Sequence, residues 1–256
     1  MKINTIGILG CGNIAGLLSD RGIPQAVAAV YDSIPERAEN IGARLGARPC
    51  ATFEEFIGQD FDAVVETASI DAVQSFGPAI LEAGRNLVVL SGGAFADAGF
   101  RTRMMELAGN VGRRIHIPSG AIFGLDNLKI GQVGGIDRIT QRTTKPPTAF
   151  RVEVTEATCL FRGNATECIA SYPKNVNVAA AIALAADRDV TLELWADPAA
   201  SANRHEILVE GRFGRATIEV VNEPSPDNPA TSQLAALSLL ALLRDSALDS
   251  ALQVGN

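Results

Sequence analysis

The chain has only two histidines, His116 and His205. His205 is the third residue of the run NRHEILVEG, in which period-two counting puts it on one face with Ile207 and Val209, and Glu206, Leu208 and Glu210 on the other. An imidazole with an unperturbed pKa near 6.5 can pass protons around neutral pH. Periodicity alone leaves a second reading open, a core histidine satisfied by a backbone carbonyl. His116, in RRIHIP, reads as packed near the end of its strand and receives no catalytic role. The two histidines lie in separate segments without ligand-like spacing, and the four cysteines show no CxxC pair, so no metal is expected.

A second group of residues points to a nucleotide. IGILGCGNIAG places Gly10-x-Gly12-x-x-Ala15 directly after an apolar run and at the opening of a helix. Glycines there permit a tight turn and close approach of a pyrophosphate, and the N-terminus of the helix, with Asn13 and Ile14, offers N–H groups and partial positive charge. Asp32 ends the second apolar run, where a carboxylate accepts from both ribose hydroxyls and repels a 2′-phosphate. The expected cofactor is therefore NAD, and Arg37 keeps NADP possible. Small residues end further runs: Ala68 and Ser69 after VVET, Ser91 after LVVL, Ser119 and Ala121 after IHIP. They leave room for the nicotinamide half of such a cofactor, and Ser69 doubles as a helix cap.

The elements that must position these groups alternate strand and helix through residue 118, with INTIGILG, AVAAVYD, FDAVVET, NLVVLSGGA and RRIHIPSGA as strands. Helices of this length between apolar strands imply right-handed crossovers and a parallel sheet covered on both faces. Ser33 is expected to cap the helix that Pro35 begins, and Thr52 with Glu55 to form a capping box. After residue 118 the rhythm changes. VEVTEATCLF, VTLELWA, HEILVEG and ATIEVV read as strands, with helices NATECIASY (capped by Asn164 and Glu167) and NVNVAAAIALAAD between the first two. Asp126 reads as a helix cap. The expected fold class is α/β: an N-terminal Rossmann domain with a doubly wound parallel sheet over residues 1–118, then a C-terminal α+β domain with a mixed sheet over 119–230. The long helix of residues 231–248 is placed to pack back on the first domain.

Composition limits the partners. The chain of 256 residues is 47% hydrophobic and 20% charged, with a net charge of −7. That balance speaks for a globular core and against nucleic acid or an anionic membrane surface. The apolar segments NVAAAIALAA and LAALSLLALL are shorter than the roughly 18 residues of a membrane span. The opening MKINTIGILGCG reads as a strand and glycine turn, not a secretory leader. Reduced thiols and a cytoplasmic location are expected, and an exposed sheet face in a small second domain suggests a homodimer.

Several segments together resemble the L-aspartate dehydrogenase family: ETAS (66–69), LSGGAFAD (90–97), RRIHIPSGAIFGLD (113–126), YPKNVNVAAA (172–181), NRHEILVEGRFG (203–214) and PSPDNPATSQLAALS (224–238). The resemblance spans nearly the whole chain. It implies that His205 is the catalytic histidine and that Ala121 contacts the cofactor. It places a cofactor-contacting Asn at Asn177, with Asn175 the other position the motif allows. Phe123 stands where many relatives have Gly, His116 where Tyr is usual, and the segment after Lys145-Pro-Pro is short. The implied reaction oxidises L-aspartate at Cα to iminoaspartate, or on to oxaloacetate and ammonia, with NAD biosynthesis as its use. Two substrate carboxylates call for cations. Lys174, at the start of an apolar helix, ranks first, ahead of Arg142, Lys145 and Arg162, and Ser119 is a further candidate for the substrate. The other readings are a related NAD(P) oxidoreductase of another small acid and a non-catalytic NAD-binding sensor.

Overall fold

The computed structural model describes residues 2–225 and 228–247, without the side chains of Ala170, Lys174, residues 224–225 and residues 228–231. The chain divides into two compact units. Among the described residues the first takes in those up to Pro118 and 235–247; the second runs from Ser119 to Leu234.

In the first unit the strands are β1 (Thr5–Leu9), β2 (Ala26–Tyr31), β3 (Arg48–Pro49), β4 (Ala63–Glu66), β5 (Asn86–Val89) and β6 (Ile115–His116). They form one sheet in the order β3-β2-β1-β4-β5-β6, and every neighbouring pair is parallel. This is the doubly wound order, reversing beside β1. Helices α1 (Asn13–Arg21), α2 (Pro35–Leu45), α3 (Phe53–Ile57), α4 (Ile70–Glu82) and α5 (Ala98–Asn110) make the crossovers. β4 and β5 are buried at all positions, as strands covered on both faces must be. Two caps differ from expectation. α2 takes Ile34 as its N-cap, not Ser33, because the Asp32 carboxylate binds the Ile34 N–H. Thr52 caps α3 by accepting from Glu55 N, but the Glu55 carboxylate reaches Ala51 N instead of closing the box.

The second unit holds a five-stranded mixed sheet in the order β11-β10-β7-β9-β8, built from β7 (Arg138–Lys145), β8 (Thr158–Gly163), β9 (Thr191–Ala196), β10 (Asn203–Gly211) and β11 (Gly214–Asn222). β7 and β9 are parallel; the other pairings are antiparallel. Helices α6 (Leu125–Leu128), α7 (Pro147–Phe150), α8 (Ala165–Ser171) and α9 (Asn177–Ala186) belong to this unit. Ile182 and Ala186 of α9 join Ile139, Ile207 and Val209 in its core. Asn164 and Glu167 form the full capping box of α8. Two expectations are corrected: the strand read at 152–161 begins only at Thr158, and Gly124, not Asp126, is the N-cap of α6. β7 is a strand that the sequence pattern does not indicate. A short ribbon pairs β12 (Pro224–Ser225) with β13 (Asn228–Ser232).

The terminal helix α10 runs Gln233–Ala247; residue 248, within the expected span, lies outside the described residues. Ala236, Leu239 and Leu243 are buried in one cluster with Ile3, Ile6, Ile8, Ala15 and Leu18. Gln25 Nε2 donates to the Leu243 carbonyl at 2.6 Å, and Ile3 N to the Ser246 carbonyl at 3.0 Å. Each fully buried Leu or Ile contributes about 1.5–3 kcal/mol, so α10 is an integral part of the first unit's core. Among the described residues no helix is long and apolar enough to cross a membrane.

Candidate active site and cofactor cradle

The carboxyl ends of β1, β2, β4 and β5 gather the first set of expected residues. Gly10 follows β1 with φ +96°, and a Cβ there would lie 2.6 Å from that of Ala68. Only glycine admits both the dihedral and the close approach of the two loops. Thr67 Oγ1 ties them by donating to the Gly10 carbonyl at 2.6 Å. Gly12 is the N-cap of α1, and a Cβ on it would meet nothing within 4 Å. An open surface over the first turn of a nine-residue helix is where a pyrophosphate can rest against backbone amides. Behind it Ala15 is fully buried, allowing the helix to lie close on the sheet.

Asp32 has two backbone partners: Oδ2 accepts from Cys11 N at 2.7 Å and Oδ1 from Ile34 N at 2.9 Å. The carboxylate thus fastens the glycine loop to the end of β2, and each oxygen retains a lone pair for a ribose hydroxyl. Ser69 caps α4 by accepting from Ala72 N at 3.1 Å. Ser91 turns inward: its N–H donates to Glu66 Oε2 at 2.9 Å and its hydroxyl to Glu66 Oε1 at 2.8 Å. Ala68 N also donates to Glu66 Oε1, at 2.7 Å. Glu66, fully buried at the end of β4, therefore clamps the two loops that carry Ala68 and Ser91. Burial pushes its carboxyl up to about 7, against the donors that favour the anion. Sequence reasoning missed Glu66; a charge closing the buried strand AVVE was the available signal. The residues present fit NAD: a turn that a side chain would obstruct, an open helix N-terminus and a braced carboxylate at β2.

The second set lies within the second unit. β10 pairs with β7 so that His205 stands opposite Thr143, which puts Gln141, Thr143, Lys145 and His205 on one face of the sheet. His205 is buried, 6% exposed. Its Nδ1 lies 3.0 Å from Thr143 Oγ1 and 3.4 Å from Gln141 Nε2, and Gln141 Nε2 donates to the Thr143 hydroxyl at 2.6 Å. With Nδ1–H donating to Thr143, the lone pair of Nε2 is left for a substrate proton. Burial first, and the charge of Lys145 second, lower its pKa to about 3. The imidazole is therefore neutral at working pH, a far weaker base than the unperturbed value suggested. Lys145 Nζ donates to Asn175 Oδ1 at 2.5 Å and sits 5.8 Å from the Phe150 ring centroid. Partial burial brings that ammonium down to about 8.

Of the remaining expected residues, Asn177 is the first residue of α9, directly after the turn of Pro173–Asn175. Lys174 lies in that turn, and its side chain is outside the described residues. Ser119 and Ala121 open the second unit half-buried, and the Ala121 carbonyl accepts from Asn222 Nδ2 at 3.0 Å. Arg142 and Arg162 both pair with Glu193, at 2.9 and 2.8 Å, on the other face of the sheet from His205. His116 is partly buried, and burial lowers its pKa. Among the described residues no three His, Cys, Asp or Glu side chains gather to hold a metal ion.

A doubly wound sheet with a glycine turn and a carboxylate at β2, and a mixed-sheet unit with a buried histidine, define an NAD(P)-dependent dehydrogenase. The comparisons with known proteins narrow this class. The NAD-binding domain of homoserine dehydrogenase matches residues 6–118, and the C-terminal domain of aspartate dehydrogenase matches residues 126–246. The L-aspartate dehydrogenase of Methanospirillum hungatei is 50% identical over 98% of this chain and 99% of its own. That of Methanothermobacter thermautotrophicus is 41% identical over 95% and 96%. The crystal structure of aspartate dehydrogenase from Thermotoga maritima aligns with a TM-score of 0.82 at 30% identity, covering 98% of this chain and 99% of that one. The chain belongs to the L-aspartate dehydrogenase family.

Proposed function

We propose that the protein oxidises L-aspartate at Cα to iminoaspartate, which is released or hydrolysed to oxaloacetate and ammonia. NAD, or NADP, would supply the hydride acceptor when bound in the cradle of the first unit. The observation that carries the reading is His205, buried and oriented by Thr143 in a chain of this family. His205 Nε2 takes the proton that the substrate amino group loses, and for hydrolysis it holds the attacking water. Gly10, Gly12, Asn13 and Ile14 hold the pyrophosphate, Asp32 the adenosine ribose, and Ala68, Ser69, Ser91, Ala121 and Asn177 the nicotinamide half. On this reading residues 1–118 are the dinucleotide-binding domain and 119–230 supply substrate and dimer contacts. The sheet face bearing Arg142, Glu193, Arg204 and Glu219, with Val221 60% exposed, suits a second copy of the chain. Four free thiols suit a cytoplasmic setting, and the product suits de novo NAD biosynthesis.

The test is to mix the protein with oxaloacetate, ammonium and NADH or NADPH and follow the reduced-nicotinamide absorbance, in wild type and His205→Ala. Consumption by the wild type with strong loss in the variant is expected. Equal rates in both return His205 to a structural role, and no consumption by either refutes the activity. Light scattering checks the homodimer.

A further inference from the structure

The charged groups around His205 divide into two kinds. Arg142 and Arg162, which could in principle meet an anionic substrate, are both committed to Glu193 and occupy the far face of the sheet. Lys145 differs on each count. It is two residues beyond Thr143 on the same strand face, so it projects on the side of His205. No carboxylate among the described residues lies within ion-pair distance of it; its amine donates to the neutral Asn175. Asn175 sits in the turn that leads into α9, two residues before Asn177, so the amine is tethered toward the segment to which the family resemblance assigns the nicotinamide. The ammonium also stands over the Phe150 ring, 5.8 Å from its centroid. A half-buried ammonium without a counter-ion is costly to hold. Its charge is also felt by His205.

We infer that Lys145 holds a carboxylate of a dicarboxylate substrate, and so makes this site selective for acidic amino acids. The inference rests on the aspartate dehydrogenase reading of the same site. It accounts for three observations together: the missing counter-ion, the aiming of the amine by Asn175, and the placement beside the base. It also links binding to chemistry. A bound carboxylate offsets the ammonium, and with it the part of His205's reluctance to accept a proton that comes from Lys145. Substrate itself then makes the imidazole a better base, although burial, the larger cause, remains.

The experiment is calorimetric titration of succinate, a dicarboxylate without an amino group, and of succinamate, its half-amide, into the protein saturated with NADH. Wild type, Lys145→Met and Lys145→Arg are compared. Methionine keeps the apolar stem and removes the charge. The expected results are a 10- to 100-fold weaker succinate Kd in Lys145→Met, the worth of about one hydrogen bond to a charged group. Its preference for succinate over succinamate disappears, Lys145→Arg recovers part of both, and the NADH Kd is unchanged in all three. A merely structural lysine would weaken both acids alike. Should Lys145→Met fail to fold, Asn175→Ala, which releases the amine, carries the same comparison. Unchanged succinate selectivity in the variant, or no succinate binding by the wild type, overturns the inference. Lys145-dependent succinate binding in a protein that does not turn over aspartate leaves the carboxylate site standing and refutes the reaction instead.

Discussion

Thr143→Val isolates the orientation of His205 from its chemistry. The substitution keeps side-chain shape and volume and deletes one hydroxyl. That hydroxyl is 3.0 Å from Nδ1, the shorter of the two contacts the imidazole makes on this edge. Gln141 Nε2, at 3.4 Å, is poorly placed to replace it and loses its own acceptor in the same substitution. An unsatisfied buried polar group costs about 1–3 kcal/mol. If half of that falls on the transition state, kcat for aspartate oxidation drops roughly 2- to 12-fold, taking about 1.4 kcal/mol per tenfold. The remainder appears as lost stability, a few degrees in Tm. Initial rates at saturating aspartate and NAD give kcat, and a melting curve gives the partition. Thr143→Ser, which restores the hydroxyl, should recover most of the rate. A Thr143→Val enzyme with kcat within twofold of wild type, while His205→Ala is inactive, would refute the orienting role of Thr143.

Further outcomes follow from the cofactor end and from buried charge. Gly12→Ala leaves Tm within a degree or so, because its Cβ meets nothing, but weakens NADH binding at least tenfold by fluorescence titration. Gly10→Ala lowers Tm markedly even without cofactor, through its contact with Ala68 and its positive φ. Asp32→Ser shifts the ratio of kcat/KM for NAD over NADP toward NADP by about tenfold or more, read in paired initial-rate assays. Glu66 binds its proton more tightly folded than unfolded, since burial raises it from 4.5 to about 7. Its stabilising contribution is thus full below about pH 4.5 and lost as pH rises through 7. Tm of Glu66→Gln should fall less than that of wild type between pH 5 and 8. His205 acts in the opposite sense at lower pH: its folded pKa near 3 means that the unfolded chain binds the extra proton, so stability drops as pH falls below about 6.5, and His205→Asn removes that slope.

The first unit was legible because its strands are continuous apolar runs and its turns carry glycine at positions that demand it. Gly10, Asp32 and the cap Ser69 could be placed from type and spacing alone. The second unit was legible where alternation was clean, as in β10, and not where the site itself spoils the pattern. β7 reads RITQRTTK because its inward positions near His205 are Gln141, Thr143 and Lys145, and polar residues on a buried face erase the signal that identifies a strand. VEVTEA alternates well but begins no strand until Thr158. Lys174 lies beside Asn175 along the chain. Sheet register, which a single sequence does not display, brings Lys145 to Asn175 from the far end of a different element. Glu66 escaped notice because it closes an otherwise apolar strand, and only the fold shows that three donors from two loops meet it.

α10 has a consequence for how the protein comes into being. Its Ala236, Leu239 and Leu243 share a cluster with Ile3, Ile6 and Leu18, residues made at the opposite end of the chain. During synthesis most of the cofactor-binding unit emerges first, yet its core lacks the α10 side chains until residues 233–247 leave the ribosome. The second unit, encoded in between, is complete before then. Maturation order is therefore inverted relative to the usual N-terminal-first course. Nascent chains stalled before residue 235 would expose an apolar groove along β1 and α1, a natural landing place for chaperones. Only a chain translated through α10 can close that groove.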